Sequence, residues 1–184
     1  MSEFVISTRY ANALISKSED DKSFDKVLSD VKFIKETIES SKELRNFLSN
    51  PIISHDNKLS ALKLIFDKFI GEEVSNFIEF LISKGRENLL LDICKRFKEL
   101  SDEKLNQSDV NITSAVELND TQKREIETRL EKIIGKKVIP NFSIDSEIIG
   151  GFKARFGDTV IDASIKHQIE LLKKKLFEES HYKN

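Results

Sequence analysis

The apolar residues of this 184-residue chain change their period once, near residue 105, and that change limits what can fold from it. Up to that point the spacing is helical. Phe24, Val27, Leu28, Val31, Ile34 and Ile38 form one stripe, and Leu59, Leu62, Ile65, Phe66 and Phe69 a second. Val74, Phe77, Ile78, Leu81 and Ile82 form a third, and Leu90, Ile93, Cys94 and Phe97 a fourth. With a first helix around Tyr10 and a short one around Leu44, Phe47 and Leu48, the spacing predicts about six helices, a small bundle with short connections. The punctuation fits: Ser40 with Glu43 reads as a capping box, Asn50-Pro51 breaks the chain, Ser54 can cap, and Gly71 and Gly85 stand where helices stop.

Residues 101–109 have no large apolar spacing beyond Leu105 and no aromatic, and read as a linker. The expected domains are 1–105 and 106–184. Past the linker, Val110, Ile112, Ser114 and Val116 alternate with polar Asn111 and Thr113, as a half-buried strand does. Asn119 with Gln122, or Asp120 alone, can then cap a helix striped by Ile126, Leu130, Ile133 and Ile134 and closed by Gly135. A second extended run, KVIPNFSID, carries Pro140, which confines it to a sheet edge or a bulge because proline has no N–H to donate. A last helix places Ile165, Ile169, Leu172 and Leu176 on one face. The fold class is therefore mainly α, with a six-helix N-terminal bundle followed by a small α+β domain.

Between the second extended run and the last helix lies GGFKARFGDTVIDAS, from Gly150 to Ser164. A phosphate loop needs its glycines at the turn from strand into helix, so that backbone N–H groups face the anion. Here Gly150-Gly151 precede a strand pattern, with Phe152, Ala154 and Phe156 alternating against Lys153 and Arg155. Gly157-Asp158 then marks a tight hairpin before Val160 and Ile161. Asp158 belongs to that turn, and Asp162 stands two residues before Ser164, where a helix starts and a carboxylate suits the cap. Neither aspartate needs a catalytic explanation.

Other chemistry is sparse. Cys94, alone of its kind and flanked at helical spacing by Leu90, Ile93 and Phe97, reads as a buried structural thiol. His55, His167 and His181 share no ligand spacing, so no metal or other cofactor is expected. Residues 1–105 carry 17 basic and 19 acidic side chains and the remainder 13 of each, a balance that argues against a nucleic-acid partner. Lys173, Lys174 and Lys175 are flanked by Glu170, Glu178 and Glu179, as on a solvated face. No stretch approaches the ~18 apolar residues of a membrane span, and MSEFVISTRY lacks the features of a signal peptide, so a cytoplasmic start without direct membrane insertion is expected.

Two segments carry a resemblance. RYANAL, from Arg9 to Leu14, together with GGFKARFGDTVIDAS resembles the signature pair of the delta-subunit family of bacterial F-type ATP synthases, relatives of the mitochondrial oligomycin sensitivity-conferring protein. NFIEFLISKGR and TSAVEL fall in the family's order, so the likeness spans essentially the whole chain. The glycine-hairpin segment, with Gly150, Gly151, Arg155, Gly157, Asp158, Asp162 and Ser164, is its specific part. Lys84 stands where the family commonly has asparagine, Ala163 where it often has glycine, and Pro140 interrupts a strand.

The resemblance implies a noncatalytic stator subunit on the cytoplasmic face of the inner membrane, joining the catalytic head to the peripheral stalk. The N-terminal bundle would receive the amphipathic N-terminal helix of an alpha subunit in a groove between its first and fifth helices. Tyr10, Ala11, Ala13 and Leu14 match the family on the first, and Phe77, Ile78, Phe80 and Leu81 occupy the matching stretch of the fifth. The C-terminal domain would hold the C-terminus of the b-subunit stalk. Phe80 lies about 100° or more from the centre of its helix's core stripe, so an aromatic there is surplus to the bundle. Tyr10, Ala13 and Leu14 have a second reading, because with Ile6 they also make an inward stripe. Two functions outside the family also stand: a small enzyme binding a nucleotide at the glycine hairpin, and an RNA-binding adaptor using the last helix.

Overall fold

The computed structural model describes residues 2–181, with the side chains of the last helix described through Lys174. The chain falls into two compact units, Met1–Lys104 and Leu105–Asn184.

The first unit is helical throughout: α1 (Glu3–Asp20), α2 (Phe24–Ser40), α3 (Lys42–Ser49), α4 (His55–Phe66), α5 (Glu72–Ser83), a 3-10 turn (Glu87–Leu89) and α6 (Leu90–Lys104). Each predicted stripe faces one shared core. Val27, Val31, Ile34 and Ile38 of α2, Leu62 and Phe66 of α4, Val74, Ile78, Leu81 and Ile82 of α5, and Ile93, Cys94 and Phe97 of α6 are buried together. Phe24 stacks on Phe97, ring centroids 6.3 Å apart. Burial pushes the Cys94 thiol up to about 12, which leaves it an inert core group.

The helix ends show which side chains satisfy the orphan backbone groups. Ser41, not Ser40, caps α3, its hydroxyl accepting from Leu44 N at 3.1 Å, while the Ser40 hydroxyl bonds back to Thr37 O. Ser54 caps α4. The α5 terminus is a Schellman motif: Gly85, at φ +61°, donates to Ile82 O, and Arg86 N donates to Leu81 O. Gly71 does not end a helix. It stands at the N-cap of α5, and its N–H donates to the buried Asp30 carboxylate at 2.7 Å, tying α5 to α2. Two members of the α4 stripe are exposed: Ile65 is turned about 100° from its buried neighbour Phe66, and Phe69 lies past the end of α4 at Phe66, where the chain turns.

The stretch expected as a linker is mostly regular structure. Helix α6 runs to Lys104, with Ser101 buried and Lys98 paired to Asp102 one turn on, so polar residues complete its last turns. Strand β1 (Gln107–Ser114) begins after Leu105 and Asn106 alone.

The second unit continues with α7 (Asp120–Ile134), β2 (Lys137–Ile144), β3 (Phe152–Phe156), β4 (Thr159–Asp162) and α8 (Ile165–His181). The sheet order is β2-β1-β3-β4, with β1 parallel to β2 and antiparallel to β3. Helix α7 is the crossover that a parallel pair requires. Its capping box is complete: Gln122 N donates to Asn119 Oδ1, and Asn119 N to Gln122 Oε1. Gly135 closes it at φ +72°. Pro140 stands on β2, an edge strand, where the missing N–H costs no ladder bond on the open side. The core holds Val110, Ile112, Leu130, Val138 and Ala154. Val116 lies beyond β1 and is exposed, and so is Ile133 on the outer side of α7.

The largest departure from the sequence reading is α8. Its expected core face is uncovered, with Ile165, Ile169 and Leu172 exposed and Leu171 beside them. Lys173 and Lys174 are exposed, while the side chains of Lys175, Leu176, Glu178, Glu179 and His181 lie outside the described residues.

Candidate partner-binding groove

Helices α1 and α5 flank an open apolar groove of about 360 Å³, lined by Tyr10, Ala13, Leu14 and Lys17 from one side and Glu73, Asn76, Phe77 and Phe80 from the other. Its aromatic end is built edge to face. The Tyr10 ring meets Phe77 at 6.4 Å and Phe80 at 6.2 Å between centroids, with interplanar angles of 71° and 61°. Phe80 is 46% exposed, although it sits on a helix whose inner face is fully packed. Its ring also carries the Lys84 ammonium at 5.6 Å.

The structure separates the residues that the sequence grouped here. Tyr10, Ala13, Phe77 and Phe80 line the groove, and Leu14, 3% exposed, forms its floor. Ala11, Ile78 and Leu81 point into the bundle core instead, at 0%, 4% and 1% exposure. A family motif marks a contiguous stretch, whereas a helix turns each successive residue by about 100°, so outward positions recur only every three or four residues. Lys17, Glu73 and Asn76 complete the groove and were missed. The signal for them is spacing: steps of three and four residues back from Phe80 give Phe77, Asn76 and Glu73, and Lys17 lies four residues on from Ala13. The Glu73 carboxylate accepts from the Ser23 hydroxyl at 2.5 Å through Oε2.

The glycine segment of the second unit is a backbone device. β3 and β4 pair with Phe156 opposite Thr159, leaving Gly157-Asp158 as a two-residue turn, with φ +53° at Gly157. Gly151 lies at φ +80°, where a Cβ would stand 2.4 Å from the Ala163 carbonyl oxygen, and a Cβ on Gly150 would meet Ile165 at 2.6 Å. The close approach lets β3 run into the β4–α8 corner, where Ala163 N donates to Phe152 O and Ile165 N to Gly150 O. Arg155 is exposed on β3. Asp162 Oδ1 accepts from Ser164 N, and the Ser164 hydroxyl caps α8 through His167 N. The Ser164 hydrogen bond, with help from Lys153 at 3.5 Å, holds the Asp162 carboxyl below its ordinary 3.8 against a smaller opposing effect of burial.

A shallow cleft along α7 is lined, among the described residues, by Thr121, Arg124, Glu125, Thr128, Arg129 and Lys132, all from one helix. Among the described residues no group of His, Cys, Asp and Glu could hold a metal ion, and no helix is long and apolar enough to cross a membrane.

Comparison with known proteins adds the family. The family model described as ATP synthase delta (OSCP) subunit matches residues 6–176. The chain belongs to that family. It is 37% identical over 176 residues to the ATP synthase subunit delta of Pelodictyon phaeoclathratiforme, covering 96% of this chain and 99% of that protein. The subunit delta of Chlorobaculum parvum is 38% identical over 179 residues, with 97% and 99% covered. A chain in the Toxoplasma gondii mitochondrial ATP synthase hexamer has the same fold, with a TM-score of 0.66 at 18% identity, covering 93% of this chain and 97% of that one. The matched residues include both the α1 stretch and the glycine hairpin.

Proposed function

We propose that this chain is the noncatalytic peripheral-stalk subunit of a proton-translocating F-type ATP synthase, joining the catalytic head to the membrane-anchored b stalk at the cytoplasmic face of the membrane and resisting rotor torque. The helical unit takes the N-terminal helix of an alpha subunit in the α1–α5 groove, and the α+β unit takes the C-terminus of the b stalk. The observation that carries this reading is Phe80: a large aromatic, half exposed, set over Tyr10 and Phe77 beside a core that does not need it. A groove with an aromatic wall and a small residue, Ala13, at its lip fits the apolar face of an amphipathic helix. The exposed Ile165, Ile169, Leu171 and Leu172 of α8 supply apolar surface for a second partner on the other unit.

Resisting torque requires a tight interface, and a few buried aromatic anchors dominate such interfaces. Phe80→Asp is expected to weaken binding of a synthetic alpha-subunit N-terminal peptide at least tenfold, about 1.4 kcal/mol, in calorimetric titration. Because Phe80 lies outside the core, circular dichroism of the variant should match that of the parent. Unchanged affinity removes the groove from the account.

A further inference from the structure

Pro140 interrupts a strand, and the hydrogen bonds at the two ends of β2 show which way its missing N–H would have pointed. Lys137 N donates to Asn106 O at 3.0 Å, and Asp145 N, just past the strand, donates to Ser114 O at 2.9 Å. Backbone groups of successive strand residues point to opposite edges, and the β1–β2 register is unbroken from Lys137 to Ile144. The odd-numbered residues of β2 therefore bond to β1. Val138, Pro140, Phe142 and Ile144 turn their backbone groups outward, along the open edge of the sheet.

An eight-residue strand with a free edge is a template on which another chain can pair. A second copy of this chain brings the same edge. Laid antiparallel with Pro140 opposite Phe142, two β2 strands also set Val138 opposite Ile144, and each outward N–H would meet a carbonyl of the other copy. Two of those four outward positions are out of use. Pro140 has no N–H, and Val138 N already donates to Glu131 Oε1 of α7 at 3.2 Å. Gly135, at φ +72°, closes α7 by donating to Glu131 O, so the chain folds back and the Glu131 side chain reaches the second residue of β2. Val138 is 1% exposed, and exchanging this charge-assisted bond for one to a newcomer gains nothing. The other edge needs no such device. In the β3–β4 hairpin Thr159 and Ile161 bond inward, leaving only Val160 and Asp162 facing outward, too short an edge to template a strand.

We infer that Glu131 and Pro140 act together as an edge guard: they deny β2 to a further strand and so keep the chain from pairing with a second copy of itself. The helix supplies one half of the guard and the strand supplies the other. Nothing in this depends on the stalk role, because it concerns the chain before any partner covers it.

Sedimentation of the full chain across a dilution series, with amide exchange followed by NMR, tests the guard. A Glu131→Ala, Pro140→Val double variant is expected to self-associate at least about tenfold more tightly than the parent, with the Phe142 and Ile144 amides newly protected. Glu131→Gln, which keeps an acceptor for Val138 N, should sediment as the parent does. Self-association no tighter than the parent's, or tighter association with the Phe142 and Ile144 amides still exchanging freely, overturns the inference. Where the double variant loses its sheet, the single variant Glu131→Ala decides. Exchange of the Val138 amide about tenfold faster than in the parent supports the guard, and unchanged exchange overturns it.

Discussion

The two units solve the burial problem differently. In the helical unit, six helices and a 3-10 turn close over a continuous core, and the aromatic surface left facing the groove is confined to Tyr10, Phe77 and Phe80. Among the described residues of the α+β unit, a four-stranded sheet and one helix, α7, gather a small buried cluster of Val110, Ile112, Leu130, Val138 and Ala154, with partly buried neighbours such as Ile126, Phe142 and Phe152, while Ile144, Ile149, Ile165, Ile169, Leu171 and Leu172 remain exposed. Small domains bury a smaller share of their surface and are correspondingly marginal. Both units expose apolar side chains, Ile52, Leu64 and Phe69 on the first among them, but the second has a far smaller core to set against its exposed α8 face.

That contrast can be broken by mutation. Phe97, fully buried among the helices of the first unit, is expected to cost about 3–5 kcal/mol when cut to alanine. Urea unfolding followed by two-dimensional NMR should show the bundle amides melting early while the sheet amides are unaffected. Loss of both sets together would mean that the units do not unfold independently.

Gly151→Ala puts a side chain at φ +80° and within 2.4 Å of a carbonyl oxygen. Backbone strain and overlap together are expected to cost about 2–5 kcal/mol, enough to melt the second unit while the bundle persists. An intact sheet in this variant would show that the β3–α8 approach is loose.

A buried ion pair sharpens the comparison with pH. Lys58, 2% exposed on α4, donates to Leu48 O at 2.9 Å and to Glu87 Oε1 at 2.8 Å, with His55 Nδ1 at 3.5 Å from the same oxygen. Burial pushes the Glu87 carboxyl up, and the hydrogen bond from Lys58, aided by the backbone and by the Lys58 and His55 charges, outweighs it, so the carboxyl lies below its ordinary 4.5. A carboxyl lowered in the folded state stabilises it above pH 4.5, and that contribution is lost as the pH falls through the folded value. Glu87→Gln is expected to cost the bundle about 1.5–3 kcal/mol at neutral pH and to flatten its stability below pH 4.5. An acid profile identical to the parent's would show that the pair does not contribute.

The same contrast governs what the sequence made legible. Helices α1 to α6 were readable because one long-range rule, the 3.6-residue period, was repeated against a single core, and Phe80 stood out as the residue that broke it. The Ser40 cap failed by one residue because adjacent serines offer the same hydroxyl and only backbone geometry chooses Ser41. The linker failed because polar residues such as Ser101 and Asp102 can finish a helix as readily as leave it. The hairpin was legible through Gly157-Asp158, whose turn chemistry is local. The α8 face was not, because amphipathic spacing states that a face needs covering and does not state which chain covers it. Three of the groove's eight lining residues, Lys17, Glu73 and Asn76, went unread although their helical spacing from Tyr10 and Phe80 is present in the sequence.

The central claim, one passive chain with a separate grip on each unit, is tested most directly by purifying the tagged full-length chain from solubilised membranes and asking which synthase subunits accompany it. The account predicts that the parent brings both alpha and b subunits, and that Phe80→Asp keeps b while losing alpha. Retention of alpha by the variant, or failure of the parent to bring either subunit, would contradict it.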